Sequence, residues 1–198
     1  AASFAAFVVV AAAPRAATVP AGFTDSTVAS GLSSPTAMEL APDGRIFVAE
    51  QGGALRIIKN GALLAAPFLT LAVSSSGERG LIGVTLDPAF ASNGYVYVYY
   101  TTSAAPVHTR VSRFKASTGN PDVADPAETI LVDLDNLSGA TNHNGGALRF
   151  GLDGKLYVAV GENANASNSQ ALTNRHGKVL RYNADGSIPA DNPFYATA

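Results

Sequence analysis

Hydrophobic residues recur along the chain in short alternating runs, and turns that contain glycine interrupt the runs. Three segments repeat this pattern: residues 37–61, 83–117 and 147–187. Each segment contains an apolar strand, a tight turn, an aromatic-rich strand, a polar loop and a third strand. The turns hold Asp-Gly or Asn-Gly pairs, which supply the positive φ angles that tight hairpins need. The pattern therefore predicts three similar antiparallel β-sheets.

The spacing of these repeats indicates a β-propeller. The turn glycines Gly44, Gly94 and Gly154 are separated by about 50 and 60 residues, and multistranded repeats of this length are typical of propeller blades. Fourth strands are expected at residues 66–73 in the first blade and 129–133 in the second. We predict an all-β fold that covers about three blades, with three isolated β-meanders as the alternative.

Three blades do not close a propeller ring, which typically needs four to eight. We therefore expect residues 18–198 to be the N-terminal half of a propeller domain. A missing second half, or another copy of the chain, would complete the ring. Because open strand edges promote association, the 198-residue chain alone is expected to be inactive and to associate.

The N-terminal run, residues 1–13, is uncharged and rich in Ala and Val. It has about the length of a signal-peptide hydrophobic region and is too short to cross a bilayer as a helix. We interpret residues 1–17 as the remnant of a signal peptide, which predicts a secreted or periplasmic protein without a membrane span. An Ala-rich tail is the alternative.

Composition and charge narrow the function. The chain is 47% hydrophobic and 14% charged, as in packed globular proteins. Its formal net charge is −2, so no basic excess favours binding to nucleic acid or to an anionic membrane. It has no cysteine, which excludes disulfides and cysteine nucleophiles. Its three histidines are scattered singly, so we predict no metal site within this chain.

The order of the strands predicts where the long polar loops meet. In an antiparallel blade, the loop after the second strand and the loop that leads into the next blade lie at the same end. This end receives four polar, glycine-rich segments: residues 50–53, 74–80, 138–146 and 161–170. Functional groups usually lie on loops that a rigid scaffold holds, so we expect the binding site there.

His143 stands just before the first strand of the third blade, at the expected mouth of the propeller channel. An imidazole is the usual general base near neutral pH, and the neighbouring Asn144 and two glycines would let a ligand approach the backbone. The alternative is a polar histidine that caps a strand end. His108 and His176 are interpreted as structural or surface residues.

Two carboxylates accompany His143 on this face. Glu78 occupies the equivalent place before the first strand of the second blade, and Arg79 follows it; a surface ion pair between them is the alternative. Glu162 begins the polar loop of the third blade, where it would bind sugar hydroxyls or a cation, or be solvated.

With these residues in place, the chain resembles the soluble glucose/sorbosone (aldose sugar) dehydrogenases that use pyrroloquinoline quinone. The resemblance covers nearly all of residues 22–194 and lies in four stretches: PDGRIFVAEQGGALRI, GERGLIGVTLDPAFASNGYVYVYYT, NHNGGALRFGLDGKLYVAVGEN and GKVLRYNADGSIPADNPF. It implies a six-bladed propeller, of which this chain covers about the first three blades.

The resemblance also implies a reaction. Such enzymes oxidise the C1 hydroxyl of an aldose to the lactone; hydride passes to the quinone, and an external acceptor takes the electrons. His143 matches the histidine that removes the proton from the anomeric hydroxyl, and Glu162 matches an acidic residue that orients it. Glu78 matches a cofactor-contacting position that is often Gln.

The residues and the resemblance together predict three groups of site residues, which overlap. The catalytic pair is His143 and Glu162; the cofactor would contact Glu78, Arg79 and His143; the sugar would contact Glu78, Asn144 and Glu162. The family's cofactor-binding arginines and calcium ligands correspond to positions after residue 198. Two other functions are considered: a non-enzymatic propeller that binds carbohydrate or protein, and a calcium-dependent lactonase with a metal-activated water.

Overall fold

Alternating apolar residues place the strands in three antiparallel sheets. The computed structural model describes residues 19–196, and the expected signal-peptide remnant, residues 1–17, lies outside them. The strands are β1 Pro35–Leu40, β2 Ile46–Glu50, β3 Ala54–Lys59, β4 Ala62–Leu63, β5 Leu69–Thr70, β6 Leu81–Leu86, β7 Tyr95–Thr101, β8 His108–Lys115, β9 Thr129–Asn136, β10 Gly145–Phe150, β11 Leu156–Val160 and β12 Val179–Tyr182. One α-helical turn, α1, spans Phe90–Asn93, and a 3-10 helix spans Ala166–Gln170.

The sheets are three consecutive blades of a β-propeller, which confirms the predicted all-β fold. Blade 1 contains β1 to β5, blade 2 contains β6 to β9, and blade 3 contains β10 to β12. The first strand of blade 2, β6, lies between the first strands of blades 1 and 3. Short first strands that lie side by side in this way line the channel of a propeller.

Blade 2 is packed on both faces, and its second strand explains how. Side chains alternate between the two faces of a strand. In β7, Val96 and Val98 enter the core between blades 1 and 2, whereas Tyr97 and Tyr99 enter the core between blades 2 and 3. A strand buried on both faces needs a nearly continuous apolar or aromatic run, which β7 has.

Aromatic rings anchor both cores. Between blades 1 and 2, the buried Phe47 ring meets Phe68 and Phe90 edge-on, with ring centroids 5.2 and 5.8 Å apart. Between blades 2 and 3, Tyr97 meets Phe150 at 5.0 Å. Edge-to-face pairs of this kind add about 0.5–1.5 kcal/mol beyond burial of their area. The cores thus hold the loop ends of neighbouring blades in a fixed arrangement.

Two of the three predicted hairpin turns are confirmed. Gly44 and Gly154 have φ of 86° and 70°, as Asp-Gly turns require. The tight turn expected at Gly94 is wrong. The Asp87 carboxylate accepts a hydrogen bond from the Ala89 amide, the chain then forms the helical turn α1, and Gly94 ends α1 in the left-handed conformation.

The outer strands match the sequence in part. Strand β9 confirms the fourth strand expected at residues 129–133 and extends to Asn136. The strand expected at residues 66–73 is confirmed in part: β5, which lies within this range, pairs with one end of β3, but it is only two residues long, and a second short strand, β4, pairs with the other end. Among residues 19–196, no helix is long and apolar enough to cross a membrane.

Candidate active site

The polar loops predicted to share one face are joined by hydrogen bonds. The Gln51 amide nitrogen donates to the carbonyl oxygens of Gly77 and Arg79, at 2.6 and 2.9 Å. The Glu78 backbone N–H donates to the Thr141 carbonyl at 2.8 Å. These bonds connect the loops of blades 1, 2 and 3, so the candidate residues of different blades lie on one connected surface.

His143 is held by its backbone as well as by its ring. Its φ is 57°, in the left-handed region that residues other than glycine rarely occupy. Its N–H donates to Glu78 Oε2 at 2.6 Å, and its carbonyl accepts from the Asn163 N–H at 3.1 Å. Strained backbone of this kind persists only where the surroundings determine it. Here Glu78 and Asn163 hold it from two neighbouring loops.

The imidazole of His143 forms a pair with Glu162. Its Nδ1 contacts Glu162 Oε1, and the side chain is about half exposed. The hydrogen bond to Glu162 raises the pKa of His143, and the charge of Glu78 adds to this. The same bond lowers the pKa of Glu162. No residue among 19–196 bonds to the other ring nitrogen, Nε2, so Nε2 is open to a ligand.

Glu78 and Arg79 are neighbours that act in different places. Glu78 lines a depression of about 360 Å³. Arg79 is buried, and its Nη2 donates to the carbonyl oxygens of Ser138 and Ala140, both at 2.7 Å. The alternative of a Glu78–Arg79 ion pair is therefore wrong. Arg79 holds the loop that carries His143 and does not line the depression.

Asn144 also belongs to the interior of this loop. Its side chain donates to the Thr141 carbonyl at 3.0 Å, and its own carbonyl accepts from the buried Tyr99 hydroxyl at 2.7 Å. Asn144 is 3% exposed and offers almost no surface to a sugar. The structure therefore does not support the predicted substrate contact of Asn144.

Two further residues complete the site. Asn163 is buried and has a φ of 54°, and its side chain contacts the loop before His143. Gly161 faces the backbone of His143 so closely that an added Cβ would lie 1.8 Å from the His143 carbonyl oxygen. The sequence offers a weak signal for both, since Gly and Asn flank Glu162 directly after a strand.

The other two histidines bond to residues outside the His143–Glu162 pair. His108 Nε2 is 3.1 Å from Asp133 Oδ1 on the outer strands of blade 2. His176 is buried, with Nε2 3.3 Å from the Asn136 carbonyl oxygen. Across residues 19–196, no cluster of three or more histidine or acidic side chains is placed to hold a metal ion.

This fold and loop geometry match one family of proteins. Residues 32–198 match the Glucose / Sorbosone dehydrogenase family, and the chain belongs to it. The chain is 30% identical over 179 residues to the aldose sugar dehydrogenase YliI of Escherichia coli, covering 88% of this chain and 48% of that protein. It is 33% identical over 151 residues to mouse Hedgehog-interacting protein, covering 68% of this chain and 21% of that protein.

A solved structure agrees. The PQQ-bound aldose sugar dehydrogenase of Streptomyces coelicolor superposes with a TM-score of 0.76 at 29% identity, covering 85% of this chain and 50% of that one. The chain thus spans about half the length of these two dehydrogenases and about a fifth of Hedgehog-interacting protein.

The polar side chains of the depression can meet one edge of a quinone cofactor, chiefly as hydrogen-bond acceptors. Its lining combines small residues with the polar side chains of Gln51 and Glu78: Ser34, Pro35, Thr36, Gln51, Glu78, Ile82 and Gly145. The Glu78 carboxylate could accept a hydrogen bond from an N–H of such a cofactor, whereas the Gln51 amide nitrogen already donates to the carbonyl oxygens of Gly77 and Arg79. None of these lining residues is cationic, so they do not neutralise the cofactor's carboxylates.

Proposed function

We propose that the protein is a pyrroloquinoline quinone-dependent aldose sugar dehydrogenase that oxidises the C1 hydroxyl of its substrate to the lactone. The observation that carries this proposal is the His143–Glu162 pair. It leaves Nε2 open on the loop face of a sugar-dehydrogenase propeller, and Glu78, which lines the depression, accepts a hydrogen bond from the His143 backbone N–H. His143 and Glu78 are the residues of this chain proposed to face the cofactor.

The step assigned to residues of this chain is the removal of the proton from the C1 hydroxyl. Neutral His143 accepts the proton of the C1 hydroxyl at Nε2. Its Nδ1–H continues to donate a hydrogen bond to the Glu162 carboxylate. The positive charge that forms on the ring is stabilised by that carboxylate, as in other histidine–carboxylate pairs. A bound quinone would supply the acceptor for the hydride of C1, and the residues proposed to face it are His143 and Glu78. A positioned base of this kind contributes about 10²–10⁴-fold to the rate.

Glu78 has two proposed tasks. One carboxylate oxygen holds the backbone N–H of His143, and the other is free to accept a hydrogen bond from a sugar hydroxyl or a protonated group of the cofactor. Glu162 is proposed to orient the base and to meet the sugar from the opposite loop. Arg79 is proposed to act through the loop and not by contact with the cofactor.

The remaining assignments follow the family. We place the calcium ion and the cationic cofactor ligands of the family outside residues 19–196. Electrons would leave through an external acceptor, and a secreted or periplasmic location suits an enzyme that acts on free sugars.

A second function is a binding propeller without catalysis. The similarity to Hedgehog-interacting protein, whose name describes binding to another protein, favours it. Such a protein would use the same loop face without needing the His143–Glu162 pair.

One experiment separates the two functions. The full-length protein is loaded with pyrroloquinoline quinone and calcium, and dye reduction is followed with a panel of aldoses, for the wild type and His143→Ala. An enzyme reduces dye with at least one aldose and loses this activity in the variant. A protein that binds the quinone and reduces no dye with any aldose contradicts the proposal.

A further inference from the structure

The loop that carries His143 is clamped from both sides at the same two residues, Ser138 and Ala140. From blade 2, the Arg79 guanidinium donates to both carbonyl oxygens. From blade 3, Asn163 Oδ1 accepts from the Ser138 N–H at 2.6 Å, and its Nδ2 donates to the Ala140 carbonyl at 3.3 Å. The Asn163 side chain therefore bonds to both a backbone N–H and a backbone carbonyl of this loop.

Asn163 also reaches His143 directly through its backbone. Its N–H donates to the His143 carbonyl at 3.1 Å, and it directly follows Glu162 in the chain. Its φ is 54°, in the left-handed region, and asparagine is one of the few residues that adopt this conformation readily. Asn163 thus connects the loop of the imidazole to the loop of its carboxylate partner through its side chain and its backbone.

We propose that Asn163 is a positioning residue that holds the His143 imidazole against Glu162, and so sets the basicity of His143. The inference rests on the proposed function only where it concerns turnover. The charged groups that face the imidazole are Glu162 and, more weakly, Glu78. Neither changes when Asn163 is replaced, so a change in His143 would report position and not lost charge.

The test is Asn163→Gly in the full-length protein. Glycine accepts positive φ, so this variant removes the side-chain clamp without straining the backbone. The titration of the His143 imidazole is followed by NMR, without quinone or sugar. We expect its pKa to fall toward about 6.5, the ordinary histidine value, and kcat to fall roughly 10- to 100-fold. KM should change little.

The matched control is Asn165→Ala. Asn165 lies two residues further along the same loop. Among residues 19–196 its side chain accepts hydrogen bonds from Ser167 alone, where it caps the 3-10 helix, and alanine keeps its backbone bonds to Glu162 and Asn168. It should leave the His143 titration unchanged. An unchanged His143 pKa in folded Asn163→Gly overturns the inference, even if activity falls.

The wild-type protein supplies a second measurement, which does not require the variant to fold. Because Asn163 holds the Ser138 amide at 2.6 Å, hydrogen exchange of that amide should be slow compared with the unpaired amides of the same loop. Fast exchange at Ser138 also overturns the inference. Loss of dye reduction in His143→Ala tests the proposed function separately, so failure of the two ideas can be distinguished.

Discussion

The Glu78 carboxylate accepts a hydrogen bond from the backbone N–H of His143 at 2.6 Å, across the boundary between blades 2 and 3. The two residues are 65 positions apart in the chain, and each precedes the first strand of its blade. A charged acceptor on a backbone N–H forms one of the stronger hydrogen bonds in proteins. The loop end of one blade therefore fixes the loop end of the next.

The first prediction concerns Glu78. Replacement Glu78→Ala removes the acceptor and leaves the His143 N–H without a partner. Affinity for cofactor or sugar should fall by roughly 1–3 kcal/mol, the cost of an unsatisfied polar partner. Glu78→Gln should be milder, because its amide oxygen still accepts the bond.

Titration of cofactor and sugar against the full-length proteins measures this. Asp185→Asn, in the turn that follows β12 at the opposite end of blade 3, is the control. Affinities and turnover that stay at wild-type values in Glu78→Ala would remove Glu78 from the site.

The second prediction concerns the base. His143→Ala should lower kcat by about 10²–10⁴-fold, since the step lost is proton transfer. Affinity for the sugar should change much less than kcat. Steady-state dye reduction gives both values, with His108→Gln as a histidine control on the outer strands of blade 2. A variant with wild-type kcat across the neutral pH range would show that another group takes the proton.

Much of the fold could be predicted because its signals are local. Alternation of apolar residues and glycine turns do not depend on distant contacts, so the three sheets and most turns were found. The turn at Gly94 was predicted wrongly, since Asn-Gly is ambiguous. The helical turn α1 forms there after the Asp87 carboxylate binds the Ala89 amide, and Gly94 is its left-handed end.

The common location of the candidate residues could also be predicted, for a similar reason. Strand order alone brings the loops of His143, Glu78 and Glu162 to one end of the propeller. The sequence predicts a cofactor contact for Arg79 and a sugar contact for Asn144, but both side chains are buried. Burial depends on tertiary packing, which the sequence pattern does not show. Asn163 was missed because its partners lie on another loop.

The third prediction concerns close packing beneath the base. An alanine at position 161 would place its Cβ 1.8 Å from the His143 carbonyl oxygen, so the backbone of one loop must move. We expect Gly161→Ala to reduce the free energy of unfolding by about 1–3 kcal/mol, as overpacking typically does, and to lower kcat.

Urea unfolding measures the stability change. Gly139→Ala is the matched control, because Gly139 lies in the loop of His143 and an added Cβ there meets no atom within 4 Å. Equal stability of the two variants would contradict the packing argument.

The last prediction is a pH dependence. The hydrogen bond to Glu162 raises the pKa of His143 above its usual 6.5, and only the neutral imidazole accepts a proton. Plotted against pH, kcat/KM should therefore rise as pH increases through this raised pKa. Glu162→Gln removes the carboxylate charge, so the rise should move to lower pH while the maximal rate falls. Glu78→Gln should move it in the same direction by less, because Glu78 acts on the ring only through its charge.

NMR titration of His143 in the same variants provides an independent measurement of the pKa. A Glu162→Gln enzyme that is slower but keeps the wild-type pH profile and the wild-type His143 titration would show that Glu162 does not set the basicity of the ring.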